Sequence, residues 1–337
     1  MKLQRLLIFL VCAAFIASTP AIFAEDKAFT YNVTKAEHEV ATLRMVWHDK
    51  TRDRDVPVKI YYPKDATGPV PLIIFSHGLG GSRDGYSYLG NEWASHGYVS
   101  AHIQHLGSDT AALKNMMNGG LQEAMKPYAA SNGIVDVYYG FAALDHMNSE
   151  PGPLHDKIDT NRIGVAGHSY GAWTTLVVGG EVIIKDGVRV NVQHHEPRIK
   201  ALIPMSAPVP EKVSLDEVFS KITLPCFHMT GTLDDSPIAD TKAADRRLPY
   251  DHMTAKVADE YLLTFKGGDH MVFSGRFSQT SSRTAHDAIF QKYIMQGSTA
   301  FWDAYLKGDQ SAKTWLAGGG FKKALDSEGT FEEKLAK

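Results

Sequence analysis

The sequence predicts an α/β fold: a mostly parallel central sheet covered by helices on both faces. Two observations carry that expectation. From Pro71 onward, short apolar runs alternate with helical segments, and strict alternation of strand and helix builds a parallel, doubly covered sheet. The stretch RIGVAGHSYGAWTTL, Arg162 to Leu176, passes from alternating β-branched residues into residues that suit a packed helix. Gly167-His168-Ser169-Tyr170-Gly171 therefore falls where a strand turns sharply into a helix.

The elements follow in order. At the N-terminus, Lys2 and Arg5 precede an apolar run from Leu6 to Ala17 and small residues ending at Ala24. This is the pattern of a cleavable secretory signal, with an uncleaved anchor as the alternative, and the run is short for a membrane span. Residues 1–24 are read as a signal peptide and residues 25–337 as one domain, secreted or periplasmic, with no stable membrane insertion after cleavage. Cys12 lies in the signal, which leaves Cys226 alone and no internal disulfide. The formal charge of −3, with 35 basic and 38 acidic residues, gives no electrostatic reason to expect nucleic acid or an anionic membrane as partner.

Two antiparallel strands are expected around ATLRMVWHD (Ala41 to Asp49) and VPVKIYYP (Val56 to Pro63), joined by the charged turn KTRDRD. Beyond them come strand PLIIFSHG, helix YSYLGNEWASHG, strand YVSAHIQH, helix GIVDVYYGFAALDHM, strand RIGVAGHS with its following helix, and strands KALIPMSA, LPCFHMTG and EYLLTFKGG. Residues 181–198 interrupt the alternation and are read as a surface excursion, with a small lid as the alternative. TAHDAIFQKYIMQGSTAFWDAYLKGD reads as a long helix or helix pair packed on the sheet.

Parallel sheets of this kind carry their working residues in loops at the carboxyl ends of the strands. Ser169 stands at such an end, with glycines at minus two and plus two that leave room for the crossing chains of a tight elbow. A serine nucleophile needs a base, an acid that orients the base, and donors for an oxyanion. His270, in a glycine-containing loop after the strand EYLLTF, is the candidate base. The preceding strand ends in CFHMTGTLDDSPI, which offers Asp234 and Asp235. Asp234 is the preferred acid, three residues past Gly231, and Asp235 is the alternative with a turn role. The glycine-rich FSHGLGGSRDGY supplies permissive backbone for the oxyanion, with the N–H groups of Leu79 and Tyr170 as donors.

Taken together, these stretches resemble the α/β-hydrolases. PLIIFSHGLGGSRDGYSYLGNEWASHGYVSAHIQHLGSD and RIGVAGHSYGAWTT are similar to the platelet-activating-factor acetylhydrolase and dienelactone-hydrolase-like branch. The resemblance implies Ser169 as nucleophile, His270 as base, and Leu79 and Tyr170 as oxyanion donors. The sequence departs from dienelactone hydrolases in having serine in place of cysteine at the elbow. It departs from the animal acetylhydrolases in LIPMSAP, where they carry the acid and this chain has no carboxylate.

No metal or other cofactor is expected. His102 and His105, read as lying on a strand, point to opposite faces at a spacing of three, and His194-His195-Glu196 lacks a further ligand at zinc spacing. Tyr86, Tyr88, Trp93 and Trp173 are candidates to line an acyl pocket, although Trp93 and Trp173 sit on helices that favour core positions. The reading is an exported serine hydrolase of carboxylic esters, acting through an acyl-enzyme on a small-molecule or lipid ester. The alternatives are a phospholipid acetylhydrolase, a polyester or cutinase-type hydrolase, and a non-catalytic binding protein on the same fold. A prolyl-type peptidase is disfavoured because the chain has no propeller or other large accessory domain.

Overall fold

A computed structural model describes residues 31–33, 36–115, 127–190, 196–238, 240–254, 257–275 and 281–337. The signal segment 1–24 lies outside the described residues, as do His194 and His195. Eleven strands are present among the described residues: β1 Val40–Asp49, β2 Arg54–Pro63, β3 Val70–Ser76, β4 Val99–Ile103, β5 Ile158–His168, β6 Ile183–Lys185, β7 Val188–Val190, β8 Ile199–Met205, β9 Cys226–Leu233, β10 Glu260–Asp269 and β11 Gly329–Lys334. Nine of them form one sheet in the order β1-β2-β4-β3-β5-β8-β9-β10-β11.

The sheet is antiparallel at its edges and parallel in its centre. β1 pairs antiparallel with β2, running from Val40 opposite Pro63 to Asp49 opposite Arg54, and β2 pairs antiparallel with β4. From β4 to β10 every pairing is parallel. The central strands are apolar runs because both faces are covered; in β3, every residue after Val70 is buried. β11 closes the far edge antiparallel to β10 and was not expected from the sequence. Its GTFEEK holds a single large apolar residue, Phe331, so it carries almost no period-two signal.

Four helices do most of the covering: α1 Ser87–Ser95, α2 Pro127–Ser149, α3 Tyr170–Gly179 and α4 Ser281–Trp302. On one face α1 and α4 meet across Trp93, Phe227, Phe301 and Trp302, and the Trp93 indole N–H donates to Ser298 Oγ at 2.9 Å. On the other face α2 and α3 bury Val137, Phe141 and Leu176 against Val58, Ile74 and Val165. Each such ring or branched side chain contributes about 1.5–3 kcal/mol by leaving water. Trp93 is therefore core, as its helical position suggested. After α4 the chain widens into one π-helical turn at Asp303–Lys307 before two short helices, Gln310–Ala317 and Gly320–Leu325.

Within the excursion after α3, β6 and β7 form a short hairpin, with Ile183 opposite Val190 and β7 fully exposed, while residues 191–195 lie outside the described residues. Cys226 is a free, buried thiol within β9. Among the described residues, no helix is long and apolar enough to cross a membrane. His102 and His105 do not share one strand, since β4 ends at Ile103, and each is buried on its own polar partner.

Candidate active site

The elbow is built by exclusion. A Cβ on Gly167 would stand 2.2 Å from the Gly171 carbonyl oxygen, and one on Gly171 would stand 2.0 Å from that of Ser76. Glycine at both positions lets α3 start directly against the end of β3. Ser169 is left at φ 55°, ψ −115°, a backbone region that costs a non-glycine residue about 1–3 kcal/mol. Ser169 occupies the N-cap position of α3, yet its hydroxyl caps no helix N–H. It points instead at His270, whose Nε2 lies 2.9 Å from Ser169 Oγ.

His270 Nδ1 lies 2.7 Å from Asp234 Oδ1. Because the carboxylate can only accept, Nδ1 carries the proton and Nε2 is free to accept from the serine hydroxyl. Gly231 makes this meeting possible, since a Cβ there would stand 2.2 Å from the Gly268 carbonyl oxygen where β9 and β10 converge. Asp234 is fully buried and its second oxygen accepts from Ser206 Oγ at 2.6 Å and Thr230 Oγ1 at 2.8 Å. Arg246 lies beneath, donating from Nε to the Asp234 carbonyl and from Nη1 to those of Ser206 and Ala207. Asp235 turns the other way: its exposed carboxylate accepts from the Ala243 N–H at 2.8 Å. Of the two adjacent aspartates, the structure brings Asp234 to His270 and leaves Asp235 in the turn.

Ser206, with φ 53°, sits in the LIPMSAP loop where the carboxylate was missing, and it serves as a hydrogen-bond donor to the acid from the next strand. Neither Ser206 nor Arg246 carries a sequence signal of its own: Ser206 reaches the acid through the pairing of β8 with β9, and Arg246 comes from the 3₁₀ turn Ala243–Arg247 that follows β9.

Two hollows meet at Ser169. One, of about 210 Å³, is lined by Leu79, Tyr86, Leu113, Ile238, His270 and Met271 among others. The second, of about 330 Å³, includes Tyr170, Trp173, Glu181, Val209 and Arg246 in its wall. Ile238 borders both. Leu79, in the loop after β3, thus lines the first hollow with Ser169, and Tyr170 lines the second as the first residue of α3, where backbone N–H groups lack helical partners. Among the aromatic candidates, Tyr86 and Trp173 line the hollows, while the Tyr88 hydroxyl donates to the Phe273 carbonyl nearby.

Glu181, the first residue of the excursion, carries no sequence signal for the site. It is buried, and that burial pushes its carboxyl up to about 8 against a hydrogen bond from Trp173. The two histidines next to the elbow and the oxyanion loop are also buried. Burial pushes His168 well below its ordinary range and His77 down to about 3. Among the described residues, no group of three or more histidine, cysteine, aspartate or glutamate side chains could hold a metal ion.

The sheet order, the elbow after β5 and a site assembled from the loops after β3, β5, β9 and β10 define the class: this chain has the α/β-hydrolase fold. Within that superfamily it is similar to the platelet-activating factor acetylhydrolase branch. The family model for platelet-activating factor acetylhydrolase, isoform II, matches residues 31–127. The platelet-activating factor acetylhydrolase of Bos taurus is 24% identical over 293 residues, covering 71% of this chain and 61% of that protein. The protein of the same name from Cavia porcellus is 26% identical over 304 residues, covering 77% of this chain and 63% of that protein. Cutinase 1 of Thermobifida cellulosilytica is 25% identical over 182 residues, 53% of this chain and 54% of the cutinase. The match thus spans less than two thirds of each of these relatives.

Proposed function

We propose that this protein is a serine hydrolase of carboxylic esters that works through an acyl-enzyme. The observation that carries the reading is the hydrogen-bonded line from Ser169 through His270 to Asp234, 2.9 and 2.7 Å, with Ser169 in the lining of two hollows. Ser169 Oγ attacks the ester carbonyl while its proton passes to His270 Nε2. The N–H groups of Leu79 and Tyr170 receive the oxyanion of the tetrahedral intermediate. Collapse of that intermediate breaks the bond to the alcohol oxygen, which leaves with the proton from Nε2. Water then enters, gives a proton to Nε2 and attacks the acyl group, and the second collapse returns the proton to Ser169 and releases the acid.

Asp234 holds the imidazole in the required tautomer and offsets the charge it gains in each transition state. The names of the relatives suggest two finer substrate classes, a phospholipid acetyl ester and a polyester of the cutinase type. Export through cleavage after Ala24 belongs to the same proposal, and mass spectrometry of the N-terminus of protein from its natural source tests it.

A panel of p-nitrophenyl esters of rising chain length, run beside an acetyl phospholipid and a polyester film, tests the function. Turnover of esters, with an organophosphonate probe recovered covalently on Ser169, is the expected result. If no ester is turned over and Ser169 stays unlabelled, the non-catalytic binding protein replaces the enzyme.

A further inference from the structure

A chain of three hydrogen bonds joins the two sides of the site behind Ser169. The Gly78 N–H donates to the Tyr86 hydroxyl oxygen at 3.3 Å, Tyr86 Oη lies 2.8 Å from His168 Nδ1, and His168 Nε2 lies 2.9 Å from the carbonyl oxygen of His270. Its ends fix every proton between them. A backbone N–H can only donate and a backbone carbonyl can only accept, so His168 carries its proton on Nε2 and Tyr86 donates its own to Nδ1. We propose that His168 and Tyr86 are positioning residues that tie the loop of the base to the loop of the oxyanion donor, so that His270 and the Gly78–Leu79 peptide are held in register across the nucleophile.

Three further observations support this. Tyr86 sits at φ 58°, ψ 26°, a left-handed conformation that is rare for an aromatic residue and needs surrounding structure to hold it. The His168 ring is packed between the two loops, with its centroid 4.8 Å from that of His270 and 5.7 Å from that of Tyr86, and a Cβ on Gly78 would lie 3.1 Å from His168 Nδ1. The neutral ring that the chain requires is the one burial favours, with the charge of the Arg246 guanidinium acting in the same direction. Neither residue touches the Ser169 hydroxyl, so each acts through what it holds. A misplacement of about 1 Å in such a supporting shell is enough to lower turnover about a hundredfold.

The kinetic arm of the test rests on the ester-hydrolase reading, while the spectroscopic arm does not. With p-nitrophenyl acetate, Tyr86→Phe is expected to lower kcat about tenfold and His168→Phe about a hundredfold, with KM changed less than about threefold. The double variant should fall no further than His168→Phe, because both substitutions break the same chain, whereas independent roles would multiply to about a thousandfold. His168→Gln, whose amide N–H keeps a donor for the His270 carbonyl, should recover part of the loss. Losses under twofold, or multiplying losses, would overturn the relay. In [15N]histidine spectra of the wild type, His168 should be the neutral Nε2–H tautomer, with Nδ1 shifted in Tyr86→Phe. An Nδ1–H tautomer, a charged ring or no response to Tyr86→Phe would overturn the relay even if no ester is turned over. Should His168→Phe fail to fold, Tyr86→Phe and the tautomer still decide.

Discussion

Two lines of serine, histidine and aspartate run through the same end of the sheet. In the first, His270 stands 2.9 Å from Ser169 Oγ and 2.7 Å from Asp234 Oδ1. In the second, His105 stands 3.0 Å from Ser76 Oγ and 3.0 Å from Asp136 Oδ2. The residue types and spacings nearly match, yet their surroundings differ. Ser169 is half-buried, strained at the elbow and open to two hollows, whereas Ser76, His105 and Asp136 are all buried at 1% exposure or less. Ser76 lies on the ordinary strand backbone of β3, under the start of α3. Geometry among three side chains therefore does not make a nucleophile; access and a presented hydroxyl do.

The sealed line has a supporting role. Asp136 faces Arg52 Nη1 at 2.8 Å and Arg54 Nη2 at 3.3 Å, so its charge is matched inside the protein. The backbone N–H of His105 donates to His77 Nε2, and His77 Nδ1 in turn donates to the Gly78 carbonyl at 2.8 Å. With its carbonyl held on that side, the Gly78–Leu79 peptide directs the Leu79 N–H the opposite way. The second line thus braces the loop that the first line uses.

The comparison is broken most sharply by removing each serine hydroxyl. Ser169→Ala should lower ester turnover by on the order of 10⁴ to 10⁶ with the melting temperature nearly unchanged. Ser76→Ala should keep activity within about tenfold and lose about 1–2 kcal/mol of stability, the loss of a buried hydrogen bond. Similar turnover losses from both would erase the distinction. Next, Asp234→Asn should lower kcat by about a thousandfold or more with little change in KM, while Asp235→Asn stays within about tenfold. The reverse ranking, measured by steady-state kinetics, would transfer the acid's role to Asp235.

Asp136 tests the sealed line through pH. Burial by itself raises its carboxyl, but the hydrogen bond and charge of His105, the charge of Arg54 and the hydrogen bond of Arg52 outweigh it and hold it below the ordinary range. A depressed acid adds stability that is complete above its unfolded value, about 4, and is lost as pH falls through the lower folded value. Asp136→Asn should cost about 3 kcal/mol at pH 7 by removing the buried counter-charge of Arg54 and one of the two that Arg52 shares with Asp49, and should flatten the acid limb of the stability curve. Chemical denaturation at pH 7 and pH 3 measures both effects.

Glu181 sharpens the same contrast with the smallest effect, being a buried carboxyl that desolvation pushes up against a hydrogen bond from Trp173, where Asp136 is held down by cations. Its folded value is raised to about 8, so the stability it favours is complete below the ordinary glutamate value and declines as pH rises toward 8. Glu181→Gln should raise Tm by roughly 3–6 °C at pH 8.5 and change it little at pH 4.5. An equal effect at both would mean that the carboxyl is not held neutral.

The sequence by itself determined the alternating β/α order, the elbow at Ser169 and the order of the candidate residues along the chain. These are properties of contiguous stretches: apolar periodicity and a glycine two positions either side of a serine report local backbone geometry wherever the stretch is placed. Asp234 was legible for the same reason, by its distance from Gly231 at a strand end. The tertiary structure alone decided the choices made across long separations. It turned Asp234 toward His270 and Asp235 into the turn, brought Ser206 and Arg246 beneath the acid, and paired His105 with Asp136 instead of with His102. It also set Tyr86 and His168, 82 residues apart, within hydrogen-bond distance. Such partnerships depend on which strands lie side by side and how closely their ends approach. Side-chain direction in a packed interior is set by neighbours that a linear pattern does not name.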